Sequence, residues 1–269
     1  MRPAYVRGCG LWTPGFANAT SWCLGVADAA VRAAPGRLLT GPLHRRASSL
    51  TRMAADALEE AASAAGCDLT RTPSVWATVY GEHETAVAIL DAMHQGEGRV
   101  SPTRFHNCVH NAASGYVSIA VLDHAPSTTV TGGRELVATA LFEAQCMLAT
   151  AATEVLLVLA DEPLLPPFGV EGAQAPLALA FCLSSAPQGA LAGLSGLRRD
   201  AVAPVKRHER FGGLIVSAAL PLLEHVALRR PGCVALELEG EAGTRAWCVD
   251  VELAASRGST IPVAGGGRR

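Results

Sequence analysis

Short apolar runs bounded by Gly or Pro alternate along this chain with longer stretches in which apolar residues recur every three or four positions. The first kind predicts buried strands and the second amphipathic helices. Residues 4–12 (AYVRGCGLW) form a strand closed by the turn Thr13-Pro14-Gly15. Residues 47–65 are a helix with Gly66 as its stop, and residues 75–80 a strand ending at Gly81. Helices follow over Glu82–His94 and, with a small-residue face, over Asn111–Leu122. Residues 127–131 are a strand, after which Gly132-Gly133 opens a long helix, Arg134–Thr150. Strands at 154–160 and 176–183 come next. Residues 186–211 hold Pro, Gly and most of the late basic residues, so a loop or linker is expected. A helix at 214–228 and a hairpin of 233–239 with 245–253 close the fold, and the tail 255–269 is expected to be disordered. This alternation predicts an α/β protein with a mainly parallel, helix-covered sheet.

Composition narrows the function classes. Apolar residues make up 49% of the 269 and charged residues only 17%, which suggests surface buried in a partner as well as in a core. A formal net charge of -2 gives no signature for nucleic acid or for a polybasic membrane contact. No window reaches the roughly 18 uninterrupted apolar residues of a membrane span, and the N-terminus lacks the apolar run of a signal peptide. The eight cysteines are scattered without CxxC spacing, so reduced thiols and a cytoplasmic location are expected.

One stretch concentrates candidate chemistry. In SPTRFHNCVHNAASGYVSIA (residues 101–120), His106, Cys108 and His110 are each two residues apart. If extended, the three side chains would share a face and could bind a metal, yet no fourth ligand is indicated. Cys108 with a histidine could instead be a nucleophile and its base. The third reading is neither, a segment that serves only structure; no metal or other cofactor is expected.

Four segments in order resemble the β-ketoacyl synthases. VRGCGLWTPG is similar to their V-x-G-x-G-x-x-T-P-x-G opening, RRASSLTRMAADALEEA to their Arg-Arg and following helix, and WATVYG to their second strand. The histidine–cysteine segment resembles their S-P-x-x-F-x-x-x-V-x-N-x-x-x-G-x-x-S-I stretch. The chain resembles in particular the short ketosynthase-like N-terminal domain proteins, which serve aryl-polyene-type polyketide systems as chain-length-factor-like subunits. The resemblance implies an α/β, thiolase-like (ketosynthase) fold with its first half complete and its second half reduced. The implied divisions are 1–185 as the N-terminal half, 186–211 as linker, 212–254 as a reduced C-terminal helix and hairpin, and 255–269 as tail.

It also implies missing chemistry. The family's nucleophilic cysteine falls at Arg134, with no cysteine within ten residues on either side. A guanidinium is no nucleophile, so no catalytic residue is assigned. After Arg134 only His208 and His225 remain, neither in the setting of the family's two catalytic histidines. A buried guanidinium there would need a carboxylate, for which Asp161 and Glu162 are the candidates. The implied role is a non-catalytic subunit that pairs with an active β-ketoacyl synthase and shapes its acyl tunnel in polyketide, aryl-polyene or fatty-acid-type elongation. Acyl carrier protein is a second expected partner. Asn111 and Gly115 match the family's recurring Asn and Gly at the dimer interface, with His110 beside them. Thr85 and Ile89 share a helix face that could line the tunnel. Arg104 is either a surface arginine or one that reaches the neighbouring subunit's pocket. Two other classes stay open: an independent acyl-thioester hydrolase or decarboxylase using Cys108, His106 or His110, and a homodimeric scaffold that recruits acyl carrier protein.

Overall fold

The computed structural model describes residues 3–95, 100–164, 168, 174–239 and 245–254. Its strands are β1 (Ala4–Trp12), β2 (Ser74–Ala77), β3 (Ser127–Val130), β4 (Glu154–Asp161), β5 (Leu177–Ser184), β6 (Ala192–Asp200), β7 (Gly232–Ala235) and β8 (Ala246–Leu253). Its helices are α1 (Ala19–Cys23), α2 (Gly41–Arg46), α3 (Ser49–Ala65), α4 (His83–Gln95), α5 (Pro102–Asn107), α6 (Ala112–Val121), α7 (Leu136–Thr150) and α8 (Leu220–Ala227), with a 3-10 turn at Ile215–Ala219 before α8. The strands form one eight-stranded sheet in the order β3-β2-β4-β5-β1-β6-β8-β7.

Helices cover both faces. On one, α3 and α6 pack Met53, Leu58, Tyr116 and Val117 against Trp76, Leu156 and Val158. On the other, α7, the 3-10 turn and α8 bury Leu136, Leu141, Val216 and Leu223 against Leu157, Leu179 and Phe181. The closest approach is between α3 and β1. A Cβ on Gly8 would run into the Ala61 carbonyl, and one on Gly10 into the Ala57 carbonyl. The two glycines and the alanine face of α3 therefore let helix backbone lie directly on strand backbone. A bulge between Val6 and Gly8 sets Val6, Cys9 and Leu11 toward one core and Trp12 toward the other. Helix α3 has the ends expected for it: the Ser48 side chain accepts from Thr51 N, and Gly66 closes it at φ 65.

Three sequence expectations change. The sheet is mixed rather than mainly parallel, since only the β2–β3 and β2–β4 pairings are parallel. Apolar runs such as β5 are buried on both faces in either arrangement, so they do not report strand direction. The stretch 186–211 is no mere linker, because β6 lies within it and joins β1 to β8. Its glycines and exposed arginines hid the alternation: Leu194 is buried while Arg198 and Asp200 reach solvent and pair with each other. The helix expected at 214–228 is a 3-10 turn followed by α8, with Pro221 in the first turn of α8. The hairpin forms between β7 and β8. The expected tail, 255–269, lies outside the described residues. Among the described residues no helix is long and apolar enough to cross a membrane.

Candidate functional site at the strand ends

Because β3, β2 and β4 run parallel, their C-terminal ends open on one edge of the sheet. That edge gathers residues 78–82, 131–134 and 161–163. Thr78 donates its hydroxyl to Asp161 Oδ1 at 2.6 Å, and Val79 N donates to the same carboxylate at 2.9 Å. Glu82 Oε1 accepts from the hydroxyls of Ser48 and Thr51, both at 2.7 Å, which ties the start of α4 to the N-terminus of α3. His83 Nε2 contacts the Pro163 carbonyl at 2.9 Å. Gly81 sits at φ 59, and a Cβ there would lie 3.0 Å from His110 Cα. Glycine is thus required both by the left-handed backbone and by the approach of the segment before α6.

A cavity of about 250 Å³ opens here, lined by Val79, Tyr80, Asp161, Glu162, Arg207 and Leu214 among others. Burial raises the Asp161 carboxyl to about 7, even though Thr78 and Val79 hydrogen-bond its ionised form. Glu162 is raised to about 8, first by burial and then by the charges of Glu84, Glu82 and Asp161. Near neutral pH the cavity wall therefore carries protonated carboxyl character beside the Arg207 guanidinium. Among the described residues its lining includes no cysteine, serine or histidine.

Arg134 lies at the same edge, two residues before α7 and beside the Glu135 cap position. Its side chain is 43% exposed rather than buried, and its partners are not Asp161 or Glu162. Nη2 donates to the Leu238 carbonyl at 3.4 Å and lies 3.8 Å from Glu237 Oε2. Glu237, 1% exposed, also receives Arg199 at 3.1 Å, and Arg199 reaches Glu135 at 2.7 Å. Asp161 is already committed to Thr78 and Val79, and β2 intervenes between β3 and β4. The carboxylate facing Arg134 is instead Glu237, from the segment after β7, which sequence spacing gave no means of finding. A carboxylate at the helix start also offsets the unfavourable placement of a cation there.

The histidine–cysteine segment is not extended. Ser101 accepts from Arg104 N and Pro102 opens α5, so the chain coils through His106 and turns at Cys108. The Cys108 thiol donates to the Phe105 carbonyl at 3.0 Å, not to a histidine. His106 is exposed and His110 lies against Gly81. Among the described residues no group of three His, Cys, Asp or Glu could hold a metal. The residue that anchors the segment is one the sequence reading passed over. Asn107, 8% exposed, donates to the Arg46 carbonyl at 3.2 Å and accepts from Tyr116 OH at 2.9 Å.

Ile89 is buried and Thr85 half-buried on α4, which packs against α5. Arg104 is exposed on α5. Asn111 caps α6 through its carbonyl, which accepts from Ser114 Oγ and Gly115 N at 3.0 Å, and a Cβ on Gly115 would meet open space. His208 stacks 5.6 Å from Trp22 and 5.2 Å from Phe211, and His225 contacts the Arg230 carbonyl. Among the described residues, Arg134 is held by Leu238 and Glu237 and not by either histidine. All eight cysteines are free.

Comparison with known proteins agrees with this architecture. The chain length factor ApeC and ketosynthase ApeO complex from Xenorhabdus doucetiae contains a chain that matches with TM-score 0.67 at 21% identity, over 94% of this chain and 100% of the other. The ishigamide ketosynthase/chain length factor matches with TM-score 0.71 at 16% identity, over 94% and 99%. The AntDE:AntF assembly, a type II PKS acyl-carrier protein in complex with its ketosynthase bound to the hexaketide, gives TM-score 0.72 at 13% identity, over 95% and 100%. At these identities the likeness is one of fold, the thiolase-like fold of ketosynthases. No curated protein sequence matches the chain. The profile described as "Beta-ketoacyl synthase, N-terminal domain" matches residues 27–212, and the chain belongs to that family.

Proposed function

We propose that this chain is a non-catalytic, chain-length-factor-like subunit that pairs with an active β-ketoacyl synthase and shapes the acyl tunnel of a polyketide or aryl-polyene system. The observation that carries the reading is Arg134. At the position that the resemblance gives to the family's nucleophile stands a guanidinium paired with Glu237, and among the described residues the cavity at the same edge of the sheet is lined by no thiol or histidine. Such a site offers nothing to form an acyl thioester or to assist decarboxylation.

Strand β3 is the sheet edge beyond β2, with its outer backbone groups unpaired in the sheet order. Helix α7, which packs against β3, exposes Phe142 at 49%, and elsewhere α6 exposes Ile119 at 61%, α4 Leu90 at 58% and α5 Phe105 at 67%. Exposed apolar side chains in this number, with an open sheet edge, suit an obligate interface, which buries on the order of 2,000 Å² or more. A ketosynthase is the chosen occupant because two of the structural neighbours are described as ketosynthase with chain length factor. Thr85, Ile89, Arg104, His110, Asn111 and Gly115 are proposed as residues of that interface and tunnel, and acyl carrier protein as the assembly's second partner.

Co-expression with the candidate synthase tests the pairing: the two should co-elute as a stoichiometric complex. Intact mass after incubation with an acyl-carrier thioester tests the chemistry: the isolated chain should carry no acyl group. A stable monomer in the presence of the synthase, or an acyl adduct on the isolated chain, would overturn the reading.

A further inference from the structure

Residues 205–213 contribute one wall of the cavity at Asp161 and Glu162, and they carry two arginines in different settings. One end of the segment is pinned by Val205, whose N–H donates to the Glu237 carbonyl at 2.7 Å, and by Arg207 N, which donates to Glu239 Oε1 at 3.3 Å. The other end is pinned by Arg210. Its guanidinium donates to the Pro14 carbonyl and lies 5.5 Å from the centre of the Phe16 ring, while its carbonyl accepts from Ala175 N at 2.9 Å. Between these anchors Phe211 N and Gly212 N both donate to the His208 carbonyl at 2.9 Å, which sets the turn. The Arg207 side chain therefore lines the cavity from a fixed frame. Its Nη1 lies beside Gly213, where a Cβ would be 3.5 Å away, and the Gln174 amide lies over Gly212, where a Cβ would be 2.7 Å from Nε2. Arg210 is satisfied by a carbonyl and two rings. Among the described residues, nothing accepts a hydrogen bond from the Arg207 guanidinium or the Gln174 amide.

We propose that this cavity binds a small monocarboxylate with an apolar body, its carboxylate held by Arg207 and Gln174. Val79, Leu164, Leu214 and Ile215 supply apolar walls, and a few convergent polar groups on such walls are the usual make-up of a small-molecule site. Both polar groups on offer are donors. A planar guanidinium matches the two oxygens of a carboxylate, and the hydrogen bonds it makes to an ion are the strong ones. The Arg207 charge opposes a cationic ligand.

Size and charge narrow the ligand further. About 250 Å³ is the liquid-water space of roughly eight molecules, which suits one short-chain or single-ring acid rather than a long acyl chain. Arg207 is exposed while Leu214 is 8% exposed, so the head of the ligand faces solvent and its body the protein. The two acidic residues of the lining do not stand in the way. Asp161 spends its oxygens on Thr78 and Val79, and below neutral pH burial keeps both its carboxyl and that of Glu162 protonated. The inference goes beyond pairing with a synthase, because every residue it uses belongs to this one chain.

Calorimetric titration of the full-length chain with octanoate, slightly below neutral pH, tests the site. Octanoate should bind saturably at a single site, and octylamine, of similar size and opposite charge, should not. Arg207→Gln should weaken octanoate roughly tenfold or more, since a charge-assisted pair is lost. Lys206→Gln removes the same charge one residue away and should leave the affinity unchanged. Both side chains are exposed, so neither exchange threatens the fold. Gln174→Ala should weaken binding by less than Arg207→Gln. No saturable binding, or tight binding of octylamine as well, would overturn the proposal. So would equal affinity in Arg207→Gln, the result expected if octanoate settles on an exposed apolar patch elsewhere, or an equal loss in Lys206→Gln. All of these readouts come from the isolated chain, so a failure to pair with a synthase would leave them standing, and their failure would leave the pairing untouched.

Discussion

Arg134 and Arg199 meet on one buried carboxylate, Glu237, from 3.8 and 3.1 Å. The two guanidiniums are 43% and 50% exposed and the carboxylate 1%, so the cost of disrupting this group is unequally shared. Removing one arginine leaves Glu237 still paired. Removing Glu237 strips both arginines of their buried partner. Arg134→Cys is therefore expected to cost only about 1 kcal/mol, because the arginine is half-exposed. Glu237→Ala is expected to cost roughly 3 kcal/mol. Urea denaturation of the two variants checks the ordering. Arg134→Cys should also gain no condensing activity, since His208 packs against Trp22 and Phe211 and His225 contacts the Arg230 carbonyl. A condensation assay on the isolated variant reads that half, and product formation would contradict it.

The glycines of β1 make a second expectation. At Gly10 an added methyl group has backbone, not a flexible side chain, in its way. Gly10→Ala must push α3 off the sheet or bend β1, and overpacking of this kind costs roughly 1–3 kcal/mol or more. Gly115→Ala, where a Cβ meets open space, should leave the isolated chain's stability within about 0.5 kcal/mol. Equal melting temperatures for the two variants would refute the close-contact account.

Those glycines also show what was legible beforehand. The opening strand, α3 with its Gly66 stop, and the strands at 154–160 and 176–183 followed from apolar runs and caps, because each buries enough surface for pattern to dominate. Strand direction was not legible: β5 reads equally well in a parallel or an antiparallel setting, and β6 was lost behind Gly193, Gly196 and the Arg198–Asp200 pair. At the site, the position of Arg134 came through family resemblance, but its partner did not. Glu237 lies beyond the four segments that carried that resemblance, so nothing in them pointed to it. Asn107 went unnoticed for another reason: His106, Cys108 and His110 around it carry more conspicuous chemistry.

Stability should fall as pH rises through neutrality. Asp161 is raised from 3.8 to about 7 and Glu162 from 4.5 to about 8, so the folded chain holds both protons more tightly than the unfolded chain. Their contribution is fully present below the unfolded values near 4 and is lost as pH climbs through 7 and 8. Burial raises Glu60 to about 6 and acts in the same direction. Melting temperature is expected to drop by roughly 5 °C between pH 6 and pH 8.5. Glu162→Gln should flatten much of that slope, because the amide keeps the neutral form at every pH. A melting temperature that rises over this range would show that the strand-end carboxyls are ionised in the folded state.

Asn107 predicts a local effect. Its amide joins the Arg46 carbonyl at the end of α2 to the Tyr116 hydroxyl on α6. Asn107→Ala leaves a buried hydroxyl and a carbonyl without their partner, at a cost of roughly 1–3 kcal/mol. Tyr116→Phe removes only one end of the bridge and should cost less. Hydrogen exchange should quicken in α5 and the turn at Cys108 in both variants while β4 and β5 stay protected.

The last expectation separates folding from association on a single helix. Val117 and Ile119 sit two residues apart on α6, but Val117 is 3% exposed, within the core against Trp76 and Leu156, and Ile119 is 61% exposed. An aspartate at 117 must be desolvated in that core, so Val117→Asp should unfold the chain or lower its melting temperature severely. An aspartate at 119 remains in water in the isolated chain, and Ile119→Asp should melt within about 1 °C of the parent. Under the proposed pairing that second variant places an unpaired charge in an apolar interface, and its co-elution with the synthase should weaken at least tenfold. Phe142→Asp on α7, 49% exposed, should behave alike. If both surface variants bind the synthase as well as the parent does, the partner face lies elsewhere on the molecule, and the β3 edge with its neighbouring helices loses its assignment.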